Sequence, residues 1–492
     1  MYDLVIRNAE VIDGTGAARR RADVAVTGFA ISEIGVVDGP ASVTVDGAGQ
    51  VVCPGFIDVH SHDDFAAFLE PEMSCKALQG VTSEVVGNCG IGAAPWPGAE
   101  DWFQKLHPEA TRPDYEDYSG YLRRLEEAGP SLNVAVLAGH GALRRAAAPH
   151  AARKLDAGES LTMQRALHEA REAGVFGLSA GLIYEPGVHA DEQELSQLVH
   201  LLAGGASLLA VHLRSEADEL LEAVKEALRI SEKAEVGLQL SHHKAHGRNN
   251  WGKVRESLGL VTQARERGRD VWVDQYPYTA GSTVLSAVMD RGGLSSGPAL
   301  GKLLATDIVV ASCPAAPKFE GLHLEAIASY LQCSAEDAAA HVLDVEPGTW
   351  VVVHAMSEED VRYVMKHEAT LFGSDGLPTQ GGRPHPRLYG TFPRILGHYC
   401  RDEEVLSLEQ AIFKMTGASA ARFALTGRGE LKVGNYADMV LLDPSRIAAG
   451  SSYDEPRGEP VGISAVWVNG TRIVSDGAHT GARPGHALRY AD

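Results

Sequence analysis

The chain has 492 residues, more than the roughly 250–300 at which one hydrophobic core stops growing, so at least two packing units are expected. Apolar residues make up 45% and charged residues 22%, a balance that excludes a disordered or fibrous protein. A formal net charge of −21 argues against nucleic acid and anionic membranes as partners, and no apolar run nears the roughly 20 residues that span a bilayer.

The opening, Met1-Tyr-Asp-Leu-Val-Ile-Arg7, lacks a signal peptide's basic start and apolar core and reads as a strand, so a cytoplasmic location is expected. Short strands follow at Ala22–Val26, Ala30–Val36 and Val43–Val45, with turn signals at Asp13-Gly14 and Asp46-Gly47. The end of the chain has the same style, with strands at Met439–Leu442, Ala465–Val468 and Arg472–Val474 around the turn Asn469-Gly470. Residues 1–54 and 428–492 are therefore expected to form one small β-sandwich domain from both chain ends.

Between them, over residues 55–427, apolar runs alternate with helical patterns, the signature of an α/β protein with a parallel sheet. Eight strands are predicted: Gly55–His60, Thr82–Gly87, Asn133–Gly139, Val175–Ala180, Ser207–His212, Gly237–His242, Asp270–Gln275 and Thr370–Ser374. That count fits a (β/α)8 TIM-like barrel. The gap between the seventh and eighth strands is too long for a simple connection, so about 284–347 is read as a folded, lid-like insertion, with a strand at Asp307–Ala311 and a helix at Ser334–Leu343.

In such a barrel functional groups gather where strands end. The first strand ends in His60-Ser-His62, whose alternation aims both imidazoles to one side. Cys89 ends the second strand 29 residues after His60, and His212 and His242, 30 residues apart, end the fifth and sixth. Asp375 ends the eighth. Taken singly, each has a structural reading: a buried thiol, an Asp-Gly turn or a hydrogen-bonded histidine. Five strand ends carrying metal-ligand chemistry in barrel order point instead to one cation, and imidazole, thiolate and carboxylate suit zinc better than magnesium or calcium. By alternation His243 points away, while His140 and His354 are candidates for outer or structural roles. His107, His150, His168, His200 and His367 are expected to face solvent, and Cys53, Cys75, Cys313, Cys333 and Cys400 to sit in the core.

Together these residues resemble the amidohydrolase superfamily, and within it the N-acyl-D-amino-acid deacylases (D-aminoacylases). The resemblance runs from Gly55-Phe-Ile-Asp-Val-His-Ser-His-Asp-Asp64 through Gly87-Asn-Cys-Gly90, Ser241-His-His-Lys244, Tyr276-Pro-Tyr278 and Ser282-Thr283 to Gly373-Ser-Asp-Gly-Leu-Pro378, His385-Pro-Arg387 and Gly434-Asn-Tyr-Ala-Asp-Met-Val440. Cyclic amidases bridge two metals with a carboxylated lysine on the fourth strand, but here that strand, within Gly174–Tyr184, has no lysine.

The resemblance implies one tight zinc on Cys89, His212 and His242, with Cys89 bridging to a weaker position at His60, His62 and Asp375. It implies Asp375 as the catalytic acid/base and Lys244, Tyr276, Ser282 and Arg387 as substrate-binding residues. The implied substrate is a small N-acyl-D-amino acid. The apolar loop Val284-Leu-Ser-Ala-Val-Met-Asp-Arg291 favours hydrophobic side chains, with Arg291 keeping an N-acyl-D-glutamate deacylase as the alternative. A cyclic amidase or D-dipeptidase on the same scaffold, and a barrel kept only as a scaffold or binding module, are the other readings.

Overall fold

A computed structural model describes residues 1–290, 293–294, 299–378 and 381–490. Among these residues the eight predicted barrel strands are Phe56–Asp58, Val81–Val86, Asn133–Val136 with Ala138–Gly139, Gly177–Gly181, Leu208–His212, Gly237–Leu240, Val271–Gln275 and Thr370–Phe372. Neighbours pair in parallel around the ring. The ring closes between the eighth and first strands, where Ser61 bridges Gly376 and the Asp375 N–H donates to His60 O at 2.7 Å.

Strand alternation sorts the side chains. Leu208 and Ala210 of the fifth strand pack inside the barrel with Ile57, Val85, Ala135 and Leu371, and His212 continues that inward row. Leu209 and Val211 face outward into the larger core shared with the helices, such as Leu220–Ala234. The floor is closed by Ala418, Ala420, Phe423 and Leu425.

A polar column rises through this apolar interior. Arg422 donates to Asp270 (2.6 Å) and Gln239 (3.2 Å), and Gln239 donates to Asp274 Oδ2 (2.9 Å). Asp274 Oδ1 accepts from the His242 backbone (2.7 Å) and lies 2.9 Å from His60 Nδ1. A buried polar group is tolerated when it is hydrogen-bonded, and here the bonding continues from floor to mouth.

Both chain ends contribute to one nine-stranded sheet. The layers are continuous because the long strand Tyr2–Val11 pairs with Ala41–Asp46 through its first half and with Val51–Pro54 through Glu10 and Val11. A register shift between Ile6 and Ala9, with Asn8 at φ +62°, marks the bend. In Met439–Leu442, Met439 and Leu441 enter the core of this domain, whereas Val440 and Leu442 enter the barrel's core. The excursion after the seventh strand has its own three-stranded antiparallel sheet of Gly281–Val284, Trp350–Val353 and Ile308–Ser312. Helices Leu324–Leu331 and Ala335–Val345 cover it, around a core that includes Ile308, Phe319, Ile327 and Val351.

Two groups of sequence expectations are corrected. His107 is buried, not solvent-facing, with its ring against Phe65 and Phe103, and His367 is half-buried beside Thr262. Both lie where a helix ends against the core, which a local pattern does not register. Cys333 is exposed and Cys75 only half-buried; Cys333 follows Gln332, which ends its helix in a left-handed turn away from the core. Among the described residues no helix is long and apolar enough to cross a membrane.

The first, second and eighth strands are locked by Lys76, which is fully buried. Its Nζ lies 2.6 Å from Asp58, 3.0 Å from Asp63 and 3.7 Å from Glu84, and it donates to Ser374 Oγ at 2.8 Å. Removing one partner of a buried ion cluster leaves uncompensated charge, at a cost of about 3–5 kcal/mol. Lys76→Met is therefore expected to lower unfolding stability by that amount in urea titrations; an unchanged midpoint and slope would contradict it.

Candidate metal centre

The predicted ligands converge at the mouth. Cys89 Sγ lies 3.3 Å from both His60 Nε2 and His242 Nε2, and His242 Nε2 lies 2.8 Å from His212 Nδ1. Asp375 Oδ1 is 3.1 Å from His62 Nε2 and 3.6 Å from His60 Nε2. The donor atoms of Cys89, His212 and His242, of His60, His62 and Cys89, and of His60, His242 and Asp375 fall within 4.8 Å of one another in each set. All six residues are buried.

Three of them, Cys89, His242 and Asp375, have positive φ, at +55°, +33° and +48°. Non-glycine residues rarely adopt this region, and the strain, about 1–3 kcal/mol each, is tolerated where the surroundings over-determine it. Each strand end thus turns sharply and aims its ligand across the mouth. The Cys89 turn is held from the fourth strand: Ser179 Oγ accepts from the Gly90 N–H at 2.9 Å and donates to Gly87 O. Gly181 packs so close that an added Cβ would lie 2.0 Å from Cys89 O.

The electrostatics match this donor set. Burial would raise the Cys89 thiol, but the charges of His60 and His242 outweigh it and hold the thiol well below its ordinary range. Burial likewise opposes charge on Asp375, yet Arg387 and His62 keep its carboxyl well below the usual carboxylate range. His62 is lowered by burial but pushed up to about 9 by hydrogen bonds to Asp375 and Cys89. A divalent cation would take over the balancing role of the imidazole protons, which is why metal uptake by such sets releases protons. A tetrahedral zinc, with bonds of about 2.0–2.3 Å, suits one thiolate and two imidazoles with donor atoms this close. The chemistry of the donor set fits zinc.

Around the candidate ligands opens a cavity that reaches the surface. Its walls include Trp102, Tyr184, Val288, Leu300, Trp350 and Leu377. The four substrate-binding candidates also line it. Two cations lie near the ring of Tyr276, Arg387 at 4.6 Å and Lys244 at 5.8 Å from its centre. Arg387 Nη1 is 2.8 Å from Asp375 Oδ2, while its buried Nε has no partner among the described residues. Ser282 belongs to the strand that opens the insertion. His243 turns away to Ser257 at 2.8 Å, and His140 pairs with Glu194 at 2.9 Å.

Sequence reasoning missed Asp274 and Glu216. Asp274 fixes His60 from below. Glu216, four residues after His212, lies 3.0 Å from His242 Nδ1 and 2.6 Å from Lys244 Nζ. Its carboxyl, which burial would raise, is held well below its ordinary range by Lys244, His212 and His242. The only available signal was its place at a strand end, in His212-Leu-Arg-Ser-Glu216.

A model of the amidohydrolase family matches residues 43–287 and 323–474, leaving out part of the insertion. The chain is 37% identical to a D-aminoacylase of Alcaligenes xylosoxydans xylosoxydans, covering 99% of this chain and 97% of the relative. It is 39% identical to an N-acyl-D-glutamate deacylase of the same organism, covering 99% and 96%. Among solved structures, the N-acyl-D-glutamate deacylase of Bordetella bronchiseptica, complexed with zinc and a phosphonate inhibitor that mimics the tetrahedral intermediate, superposes with a TM-score of 0.90 at 37% identity over 99% of both chains.

The crowding at Gly181 gives a direct test of the Cys89 turn. Gly181→Ala must displace Cys89, so zinc loaded into the variant is expected to be lost to a chelator about tenfold faster than zinc loaded into the wild type. Gly259→Ala, on a helix face with open space around it, should lose zinc at the wild-type rate.

Proposed function

This chain belongs to the amidohydrolase family, and we propose that it hydrolyses the amide bond of N-acyl-D-amino acids, releasing a carboxylate and a free D-amino acid. The observation that carries this reading is the convergence of a thiolate, imidazoles and Asp375 on one point, beside Lys244 and Arg387, in a cavity with several apolar walls. The full-length similarity to curated deacylases of N-acyl-D-amino acids supports it.

Cys89, His212 and His242 would hold one zinc tightly, and His60, His62 and Asp375, with Cys89, a weaker second. Zinc held there supplies Lewis acidity, polarising an amide carbonyl and making water easier to deprotonate near neutral pH. Asp375, ionised and facing the ligands, takes the proton of the attacking water and delivers it to the nitrogen as the C–N bond breaks. The Arg387 guanidinium can pair with Asp375 through Nη1 and offer Nε to the substrate's α-carboxylate. Lys244 adds a second charge, and the hydroxyls of Tyr276 and Ser282 orient the group.

The apolar residues Ala287, Val288, Leu300 and Val353 on the cavity wall support a hydrophobic side chain on the substrate. Arg291, on which the acidic alternative turned, lies outside the described residues. Stereochemical preference for D-residues rests on the relatives.

The test is release of free amino acid from N-acetyl-D- and N-acetyl-L-amino acids, with hydantoins alongside. Turnover of N-acetyl-D-leucine or -methionine above their L-forms and above N-acetyl-D-glutamate is expected; hydantoin cleavage alone would overturn the reading. Asp375→Asn should reduce kcat at least about 100-fold while zinc content stays near one per chain, whereas Cys89→Ala should lose the zinc itself.

A further inference from the structure

Lys244 Nζ and His242 Nδ1 lie 2.9 Å apart. An imidazole that ligates through Nε2 carries its proton on Nδ1, and an ammonium has only protons to offer, so two donors face each other here. Glu216 Oε1 is the acceptor beside both: it accepts from Lys244 Nζ at 2.6 Å and lies 3.0 Å from His242 Nδ1. The second oxygen, Oε2, faces His212 Nε2 at 3.8 Å, and that nitrogen has no hydrogen-bond partner among the described residues. His212 Nδ1, on the other side of the ring, lies toward His242 and Cys89.

Glu216 is only 3% exposed, and its main chain is fixed on both sides. Its N–H donates to Ala299 O at 3.0 Å, and its carbonyl accepts from the His246 N–H at 2.7 Å. The His246 ring holds the neighbouring Leu300 O at 2.8 Å, and Leu300 lines the cavity. Asp274 plays a narrower part: it fixes His60 and the backbone of His242 and touches neither substrate-binding cation.

We infer that Glu216 is a positioning residue whose one carboxylate sets both the grip of His242 and His212 on the metal and the place of the cation that anchors the substrate carboxylate. The inference rests on the metal-dependent deacylase reading above. A carboxylate behind a metal-binding histidine fixes its tautomer and ring orientation, and losing it costs about 10–100-fold in metal affinity or activity. Here the same loss also frees Lys244, so metal retention and substrate KM are tied through one residue of the cavity wall that lies outside the candidate ligand sets.

The experiment compares Glu216→Gln, Glu216→Asp, Lys244→Met and the double variant Glu216→Gln/Lys244→Met. It reads zinc loss to a chelator, zinc per chain and steady-state kinetics, with circular dichroism and unfolding midpoints checking the fold. Glu216→Gln should lose zinc about 10–100-fold faster and raise KM about tenfold. Lys244→Met should raise KM with wild-type zinc retention, and the double variant should raise KM less than the product of the two single effects. Glu216→Asp, which keeps the charge on a shorter arm, should fall between wild type and Glu216→Gln in zinc retention.

Zinc loss from Glu216→Gln within twofold of wild type, or KM effects that multiply in the double variant, would overturn the inference. If Glu216→Gln does not fold, Glu216→Asp decides by the same zinc measurement, and wild-type retention there overturns it. Zinc retention is read without substrate, so a zinc-replete wild type that cleaves no N-acyl-D-amino acid marks failure of the substrate reading and is separable from failure of this inference.

Discussion

The carboxylate of Asp274 is where barrel and site become one structure. It takes the amide of Gln239 from below, and above it the ring of His60 and the backbone of His242. Through Gln239 it is tied to Arg422 and Asp270 on the floor. A charged group so deep is expensive unless all its acceptor positions are used, and here they are used by the residues that must stay still. The backbone turn that gives His242 its unusual φ is held by this contact, so the aim of one candidate ligand depends on the packing of the whole barrel.

The site shows how weakly net charge governs local chemistry. The chain carries −21 overall, yet the cavity presents Lys244 and Arg387, both near the ring of Tyr276. Neither cation is free-standing: each is held by a carboxylate, Glu216 or Asp375, that also faces the imidazoles. Cations and candidate metal ligands are thus joined by shared, buried acceptors, where such contacts are stronger than at a surface.

Strain and crowding concentrate at the same place. Three candidate ligands turn through left-handed backbone, Gly181 leaves room for the Cys89 carbonyl, and Ser179 spans the cysteine turn. These features raise the energy of the mouth while fixing its geometry, and Lys76 under the first and eighth strands supplies part of the compensation by binding Asp58, which in turn holds the backbones of His60 and Ser374.

By itself the sequence determined the strands, their order and the inward-facing candidate ligands, because alternation along a strand and the length of a βα unit are local properties that leave a periodic trace in His60, Cys89, His212 and His242. It also determined that the chain ends pair, since their short strands needed a partner outside the barrel. The tertiary structure alone decided what lies behind those ligands. Asp274, Glu216 and Lys76 act through distances set by packing between elements far apart in the chain, and a carboxylate on a strand or loop looks the same in sequence whether it meets solvent or a histidine. For the same reason His107 was read as exposed: burial is decided by what another segment brings against a side chain, not by the residues beside it.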